Sequence, residues 1–289
     1  MTNKTAILVT GSNGQLGSEL RELINSPLPT VFFTDRNTLD ITDKTAIENF
    51  CETNNIEIII NCAAYTAVDK AQEDEVNADA INHLAVKSMA EIAKEKNIRL
   101  IHISTDYVFN GENHTPYLES DPTHPNGIYG ETKLAGEQSL LEIAPANALI
   151  IRTSWVYSAY GANFVKTMLR LGKERESLGV IFDQVGTPTY AKDLAKAILK
   201  ILPQIDNEKV EIYHYTNEGV CSWYDFAEAI FALRNIPCQV TPIETKAYPT
   251  PAKRPHYSLL NKAKIKRDFG LTIPYWRESL ELCLKENFL

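Results

Sequence analysis

The 289-residue sequence lacks several features that mark other classes of protein. Its five cysteines are odd in number and form no C-x-x-C pair, which argues against a disulfide framework or a zinc site and is typical of thiols in a reducing cytosol. Positive charge is also scarce, since 29 Lys and Arg stand against 37 Asp and Glu. The resulting net charge of -8 argues against broad binding to nucleic acid or to an anionic membrane.

Long apolar segments are missing as well. The opening residues, "MTNKTAILVT", contain no apolar signal core ahead of the first predicted strand, and no later run is long enough to span a bilayer. We therefore expect a cytoplasmic protein that binds neither nucleic acid nor membrane. A hydrophobic content of 44% over this length allows a sizeable core.

Short apolar runs alternate with amphipathic segments over the first two-thirds of the chain. The runs are rich in Ile, Val and Leu, which indicates parallel strands buried on both faces, and they cover residues 5–10, 30–35, 56–61, 98–104 and 147–154. Helical spacing between them predicts helices over residues 15–24, 44–54, 78–97 and 132–144. One apolar stripe is expected in the third helix, formed by Ile81, Leu84, Ala85, Met89, Ile92 and Ala93. This alternation predicts an α/β fold with a doubly wound, Rossmann-like parallel sheet.

The pattern loosens after residue 155. Helices are still predicted near residues 163–175, 190–202 and 222–234, but proline-rich loops such as "KAYPTPAKRPHYS" come between elements. We predict a dinucleotide-binding domain over residues 1–155 and a mainly substrate-binding lobe over residues 156–289. The helices near 163–205 are expected to pack back onto the first domain.

The segment "GSNGQLG" places Gly11, Gly14 and Gly17 directly after the first strand and at the start of the first helix. A tight turn requires the first glycine, close approach of a pyrophosphate requires the second, and helix packing requires the third. The positive end of the helix dipole favours phosphate at this place. The spacing G-x-x-G-x-x-G differs from the usual G-x-G-x-x-G, but the strand–turn–helix context supports a dinucleotide site.

An acidic residue follows the second strand where a ribose contact is expected. Asp35 lies eighteen residues after Gly17, a position from which a carboxylate accepts hydrogen bonds from the adenosine ribose of NAD(H). The adjacent Arg36 is suited instead to the 2′-phosphate of NADP(H). The residues therefore leave the choice between NADH and NADPH open.

The segment "YGETK" places Tyr129 and Lys133 one helical turn apart, on one face of a helix. Carbonyl reduction needs a hydride and a proton, and a tyrosine with a pKa of about 10 is a reluctant proton donor and acceptor. We expect the lysine ammonium to favour the phenolate and to hold the nicotinamide ribose. Ser104 and Thr105 end the fourth strand, where a hydroxyl can donate to the substrate carbonyl or to the tyrosine.

Together, these motifs resemble the extended branch of the short-chain dehydrogenase/reductase family, whose wide glycine spacing they fit. Further segments more closely resemble the dTDP-4-dehydrorhamnose reductase family: "NCAAYTAVDKAQED", "HISTDYVFNG", "YGETKLAGE", "RTSWVYSAYGANF", "DQVGTPTYAKDLA" and "YPTPAKRPHYSLLN". The resemblance covers nearly the whole chain. It implies reduction of the 4-keto group of dTDP-4-dehydro-L-rhamnose with NADPH or NADH.

The resemblance also implies roles for individual residues. Ser12, Asn13, Gln15 and Leu16 are expected to line the pyrophosphate. Around the adenine and the rest of the cofactor, the resemblance places Asp40, Ile41, Ala63, Ala64 and Tyr65. It makes Tyr129 the proton donor, tuned by Thr105, and makes Lys133 a ribose ligand. The deoxysugar is expected to contact Thr105, Asp106 and Trp155, the last offering a flat apolar wall.

Two more substrate contacts have physical support. Asn163 stands just before a predicted helix, where its amide can meet a sugar or phosphate oxygen or can instead cap the helix. Arg254 lies in the proline-stiffened loop, where its guanidinium can hold a diphosphate through two hydrogen bonds.

Metal binding and assembly stay unassigned. Some members of the family carry a carboxylate cluster for a magnesium-linked dimer, but no matching cluster is recognisable near "ESLELCLKENFL". Its Glu278, Glu281 and Glu286 are explained equally well by a polar helix face. Mg²⁺ and a homodimer therefore remain open.

Two other functions compete with this interpretation. One is another nucleotide-sugar enzyme, an epimerase or a reductase–epimerase. The other is a regulatory subunit like that of methionine adenosyltransferase, which resembles the same reductase group without depending on its catalysis. The presence of Tyr129, Lys133 and Thr105 favours an active reductase, since regulation requires none of the three.

Overall fold

The computed structural model describes residues 5–24 and 29–287. The strands, in chain order, are β1 (Ala6–Thr10), β2 (Thr30–Phe33), β3 (Ile56–Asn61), β4 (Arg99–Thr105), β5 (Ala148–Thr153), β6 (Val156–Tyr157), β7 (Ser177–Ile181), β8 (Val185–Gly186), β9 (Thr189–Tyr190), β10 (Glu211–His214), β11 (Cys221–Ser222) and β12 (Gln239–Ile243).

The α-helices are α1 (Gln15–Leu23), α2 (Lys44–Thr53), α3 (Val68–Ala71), α4 (Glu75–Asp79), α5 (Ala85–Lys96), α6 (Ile128–Ile143), α7 (Phe164–Glu174), α8 (Ala191–Ile201), α9 (Trp223–Arg234), α10 (Ala263–Phe269) and α11 (Trp276–Asn287). A π-helical turn covers Ala80–Leu84, and short 3₁₀-helices cover Asp106–Val108, Leu202–Gln204 and Thr245–Ala247.

A six-stranded parallel sheet in the order β10-β5-β4-β3-β1-β2 forms the centre of the molecule. The chain moves to one side of β1 for β2 and to the other side for β3. The order of the strands therefore reverses between β1 and β3, and ligands of open α/β sheets bind at the carboxyl ends of strands beside such a point. The predicted doubly wound α/β fold is confirmed.

Helices cover both faces of the sheet, which explains why its strands are apolar throughout. On one face, α1, α8 and α10 pack on alternate strand residues such as Val9, Ile60 and Ile151. On the other face, α2, α5 and α6 pack on the intervening residues, such as Leu8 and Ile59. These five strand residues are fully buried, so the strands contribute to a core on each face of the sheet.

Another apolar cluster, which we call the second cluster, is separate from the two cores of the sheet. It joins α7, α9 and α11 with β7 and β12. Capping groups set the ends of some of these helices. Ser222 and Asp225 form a capping box at the start of α9, and Asn235 ends this helix in the left-handed conformation.

The elements after residue 155 are divided between the central sheet and the second cluster. Of the helices between residues 163 and 205, α8 packs on the sheet and α7 packs in the second cluster. From beyond residue 155, β10 and α10 also join the sheet or its core. The sheet and its core thus contain elements from both sides of residue 155. The predicted domain boundary at this residue remains a prediction.

One predicted apolar stripe is wrong in part. The π-helical turn at Ala80–Leu84 adds a residue to one turn and rotates the helix about its axis. Leu84 is consequently 48% exposed, whereas Asn82 is fully buried and uses its amide to bind both backbone groups of Tyr65. Within the described part of the chain, no helix is both long and apolar enough to cross a membrane.

Candidate active site

The glycine turn links β1 to α1 at the carboxyl edge of the sheet. Gly11 has a φ of +63°, and a Cβ there would lie 2.6 Å from the backbone nitrogen of Ala63. The turn therefore needs glycine for two reasons, its left-handed conformation and its close contact with the loop after β3. Gly17 packs equally closely on the turn itself, since a Cβ would lie 2.5 Å from the Cα of Ser12.

Gly14 is exposed and begins α1 without a side-chain cap. A Cβ at Gly14 would meet only the carbonyl oxygen of Gly11, at 3.2 Å. The amino end of α1 is thus open to a ligand, and its N–H groups and dipole suit a pyrophosphate. The residues present fit a dinucleotide cofactor at this place.

The other residues of the turn hold it in position. Ser12 donates its N–H to Thr34 and accepts a 2.8 Å hydrogen bond from Arg21 at its hydroxyl. Gln15 donates to the carbonyl of Val156 at 3.1 Å. Asn13 is exposed and Leu16 is buried in the core below the turn. Contacts of these residues with a pyrophosphate remain predictions.

Asp35 lies beside the glycine turn, as the sequence predicts. Its Oδ2 accepts a hydrogen bond from Asn13, and its Oδ1 accepts from the N–H groups of Asn37 and Thr38 at 3.0 and 3.1 Å. The hydroxyl of Thr38 is the main cause of the lowered pKa of Asp35, so the side chain is a carboxylate at neutral pH. Asp35 therefore stabilises its own turn, and its ribose contact stays a prediction.

Arg36 and Asp40 are both exposed, and Ile41 is partly buried against the core of α2 and α5. Hydrogen bonds from Thr42 are the main cause of the lowered pKa of Asp40, to which the charge of Arg36 adds. The exposed guanidinium of Arg36 keeps NADPH open as a cofactor alongside NADH.

Ala63, Ala64 and Tyr65 form a half-buried loop after β3, opposite the glycine turn. The hydroxyl of Tyr65 donates to Asp74 at 3.0 Å, and its N–H donates to Asn82 at 2.9 Å. These bonds fix the loop at the edge where the order of the strands reverses, and its contact with a cofactor stays a prediction.

Thr105 and Tyr129 come together at the end of β4 and the start of α6. A hydrogen bond with Thr105 lowers the pKa of Tyr129, but burial has the larger effect and raises it to about 12. The ring of Tyr107 packs edge-on against Tyr129 with 5.3 Å between ring centroids. Tyr129 is therefore a protonated phenol at neutral pH.

Lys133 follows one turn later but points into the protein. Its ammonium nitrogen donates to the carbonyl of Ile103 at 2.6 Å and lies 3.4 Å from His102 Nε2. Burial lowers the pKa of Lys133 to about 8. Burial is the largest cause of the raised pKa of Tyr129, and the expectation that the charge of Lys133 favours the Tyr129 phenolate stays a prediction.

Asp106 is 2% exposed and accepts a 3.1 Å hydrogen bond from Thr105. Burial raises the pKa of Asp106 to about 7, despite hydrogen bonds with Thr105 and Ser258. Its Oδ2 and the hydroxyl of Ser104 are buried and find no hydrogen-bond partner among the described residues. Of the two candidate hydroxyls, the structure brings Thr105 to Tyr129.

Trp155 offers a flat ring, as predicted, and this ring stacks on Trp223 with 3.6 Å between centroids and a 12° angle. Its backbone is left-handed, with a φ of +48°. Such a conformation is costly for a bulky residue and is found mostly at functional sites. Its contact with the deoxysugar stays a prediction.

Asn163 takes the capping role that the sequence left open. Its Oδ1 accepts from the N–H of Lys166 at 3.1 Å at the start of α7, and its amide nitrogen donates to Gln15 and to the carbonyl of Ser158. Asn163 therefore joins the glycine turn to the second lobe. These bonds use both ends of the amide, and its contact with a substrate stays a prediction.

Arg254 is partly buried and is bound by Asp69 rather than left open for a ligand. Two hydrogen bonds of 3.0 and 2.7 Å join the guanidinium to the carboxylate. Its role as a diphosphate ligand remains a prediction.

Two of the three C-terminal glutamates take part in ion pairs on the polar face of α11. Glu281 pairs with Lys285 at 2.6 Å, and Glu286 pairs with Lys192 at 2.7 Å. Among residues 5–24 and 29–287, no group of three or more His, Cys, Asp and Glu side chains could hold a metal ion.

The sequence alone did not identify several residues around the site. These are Asn61 and His102 behind Lys133, Asp69 at Arg254, and Ser258 at Asp106. A signal existed for the first two, because a histidine and an asparagine are unusual in strands of buried Ile and Leu. Asp69 and Ser258 carry no comparable local signal.

Comparison with known proteins agrees with this geometry. Residues 5–288 match the family model described as RmlD substrate binding domain. A dTDP-4-dehydrorhamnose reductase of Aggregatibacter actinomycetemcomitans is 42% identical, over 95% of this chain and 97% of the relative.

Two solved structures are similar over almost their whole length. One is a dTDP-4-dehydrorhamnose reductase from Clostridium acetobutylicum, with a TM-score of 0.92, 41% identity, and coverage of 97% of this chain and 99% of the other. Another, from Bacillus anthracis in complex with NADP, has a TM-score of 0.93, 39% identity, and coverage of 98% and 99%. The chain therefore belongs to the dTDP-4-dehydrorhamnose reductase family.

Proposed function

We propose that this chain reduces the 4-keto group of dTDP-4-dehydro-L-rhamnose to dTDP-L-rhamnose with NADPH or NADH, the last step of dTDP-rhamnose synthesis. The observation that carries the proposal is the meeting of Thr105 and Tyr129 at the carboxyl edge of the sheet that also bears the open glycine turn. Membership of the reductase family and the NADP complex of the Bacillus anthracis relative support the same activity.

The residues of the site divide the chemistry between them. When bound, a reduced nicotinamide supplies the hydride that adds to the carbonyl carbon. Tyr129, protonated at neutral pH, donates the proton to the carbonyl oxygen and is reprotonated from solvent. Thr105 orients this phenol through their hydrogen bond, and Lys133 lies one turn away to bind ribose hydroxyls.

We propose that the substrate binds next to Tyr129, in contact with three further side chains. Trp155 supplies an apolar wall for the deoxysugar, Asp106 a polar contact, and Arg254 a cation for the diphosphate. We also propose that the protein acts in the cytoplasm without nucleic acid or membrane, and light scattering of the purified protein tests whether it forms a homodimer. Mg²⁺ has no proposed role.

The deciding experiment follows the absorbance of the reduced nicotinamide with purified protein and dTDP-4-keto-6-deoxyglucose. A 3,5-epimerase is added or left out, and NADPH is compared with NADH. Oxidation that depends on the epimerase supports the proposal and ranks the cofactors. Cofactor binding without oxidation contradicts it and favours a regulatory subunit, whereas sugar interconversion without net oxidation favours an epimerase.

A further inference from the structure

A line of buried polar residues runs from Lys133 into the sheet. His102 Nε2 lies 3.4 Å from Lys133 Nζ, His102 Nδ1 lies 3.1 Å from Asn61 Nδ2, and Thr10 donates to Asn61 Oδ1 at 2.7 Å. Thr10, Asn61 and His102 are neighbours in register on β1, β3 and β4. All four residues are at most 1% exposed, and the chemistry described above uses only Lys133.

The direction of these hydrogen bonds follows from one backbone group. The N–H of Ala63 donates to Asn61 Oδ1 at 3.2 Å, and a backbone N–H is always a donor. This bond fixes which end of the Asn61 amide faces the histidine, because the reverse orientation would place two donors together. Asn61 Nδ2 therefore donates to His102 Nδ1, which must accept.

The position of the histidine proton follows in turn. Burial lowers the pKa of His102 well below its ordinary value, so the ring is neutral. A neutral imidazole that accepts at Nδ1 carries its proton on Nε2. That N–H points at Lys133. An ammonium has only donors and opposes it, whereas a neutral amine accepts from it and still donates to Ile103.

The other charged groups near Lys133 do not reverse this preference. Glu137, on the same helix, favours the ammonium, but Arg152 of β5 binds its carboxylate at 2.6 Å. Tyr129 on α6 is a neutral phenol, and Asp106 from the 3₁₀-helix after β4 is half-neutral near pH 7 because of burial. Where the π-helical turn and α5 approach α6 at Gly136, they present Asn82 and Val86, which do not titrate.

We propose that His102 is a positioning residue that favours the neutral amine form of Lys133, and that Asn61 selects the His102 tautomer on which this effect depends. The catalytic consequence rests on the proposed function. A lysine that exchanges its proton near neutral pH can take up and release a proton beside Tyr129 in each turnover, whereas a permanent ammonium cannot.

Nuclear magnetic resonance of the cofactor-free protein, labelled at histidine and lysine, tests both parts. We expect His102 to be protonated at Nε2 and Lys133 to titrate with a midpoint pKa of about 8. A proton on Nδ1, or a Lys133 that keeps its charge above about pH 10, the ordinary range for lysine, would overturn the inference.

Two variants separate this effect from a structural one. His102→Gln can place an amide oxygen near the position of Nε2, and we expect the Lys133 midpoint to rise by about one unit or more, since an acceptor stabilises the ammonium. His214→Gln is the matched control, because His214 is fully buried on β10 and bonds to Tyr117, and it should leave the midpoint unchanged.

Asn61→Leu is the second route to the same answer if His102→Gln does not fold. It removes the amide that donates to His102 Nδ1 without adding a charge, so the His102 tautomer is no longer selected and the Lys133 midpoint should again rise. An unchanged midpoint in either folded variant overturns the proposal. These titrations use no substrate, so a lack of turnover would count against the proposed function and not against the role of His102.

Discussion

The guanidinium of Arg254 and the carboxylate of Asp69 form a two-point ion pair, with Nη1–Oδ1 and Nη2–Oδ2 distances of 3.0 and 2.7 Å. The N–H of Ala252 donates to the same carboxylate at 3.2 Å. Asp69 lies on α3, just after β3, so one side chain ties the proline-rich loop to the nucleotide-binding part of the protein. Arg254 is therefore a cation beside the site whose charge is already paired with the carboxylate of Asp69.

Replacing Arg254 by Gln should weaken binding of dTDP by about tenfold or more, since charge-assisted bonds to a diphosphate contribute roughly 1.5 to 3 kcal/mol. Isothermal titration calorimetry measures the change. Lys253→Gln is the matched control, because this neighbouring cation is exposed and lies 3.9 Å from Glu112. Equal losses in both variants would show that only general charge matters.

Replacing Asp69 by Asn should have the opposite effect on dTDP binding. The side chains of Arg254 and Asp69 are 25% and 39% exposed, so their pair contributes only about 0.2 to 1 kcal/mol. If the diphosphate competes with Asp69 for the guanidinium, its removal should tighten binding by about two- to fivefold. Weaker binding would mean instead that Asp69 holds Arg254 in its binding position.

Tyr129→Phe should lower turnover by at least about two orders of magnitude, because it removes the proton donor. Cofactor binding and thermal stability should hardly change, since the ring and its contact with Tyr107 remain. Tyr157→Phe is the control, because Tyr157 is a buried tyrosine of the second cluster and should be silent in the assay. Unchanged turnover in Tyr129→Phe would remove this residue from the mechanism.

The fold and the glycine turn of the site could be predicted from the sequence because both depend on local patterns. Apolar strands buried on two faces read as continuous runs, and the glycine turn needs Gly11 at a fixed place after a strand. The π-helical turn that buries Asn82 and exposes Leu84 could not be predicted, since one inserted residue is invisible to helical periodicity.

The remaining contacts of the site depend on long-range packing. Arg254 meets Asp69 across 185 positions, and Asn163 meets Gln15 across 148 positions. A sequence shows that an arginine lies in a stiff loop or that an asparagine precedes a helix, but not which partner it reaches. The pKa of Tyr129 shows the same limit, because burial by the whole fold has the largest effect on it.

Asp106 makes stability depend on pH in an unusual direction. Burial raises its pKa from 3.8 to about 7, so between these values the folded state binds more protons than the unfolded state. Stability conferred by the protonated carboxyl is present at low pH and is lost as the pH rises through this window. Asp106→Asn should remove the loss and stabilise the protein by up to about 4 kcal/mol near pH 8, with little effect near pH 4.

Urea unfolding of both proteins across this range measures the difference. Parallel stability curves for the wild type and Asp106→Asn would show that folding does not raise the pKa of this carboxyl.

Removing one charge of the buried Arg152–Glu137 ion pair should destabilise the protein more than removing both charges. Arg152 and Glu137 are 3% and 1% exposed and are joined by hydrogen bonds of 2.6 and 3.0 Å. Glu137→Gln should destabilise the protein by about 3 to 5 kcal/mol, because it leaves the guanidinium buried without a counter-ion.

The double variant Glu137→Leu with Arg152→Met should recover most of that loss, since no unpaired charge remains. The exposed pair Arg170–Glu174 is the control, and Arg170→Ala should cost less than about 0.5 kcal/mol. Chemical denaturation gives all three values. A double variant as unstable as Glu137→Gln would show that the bonds of this pair, and not the unpaired charge, account for the lost stability.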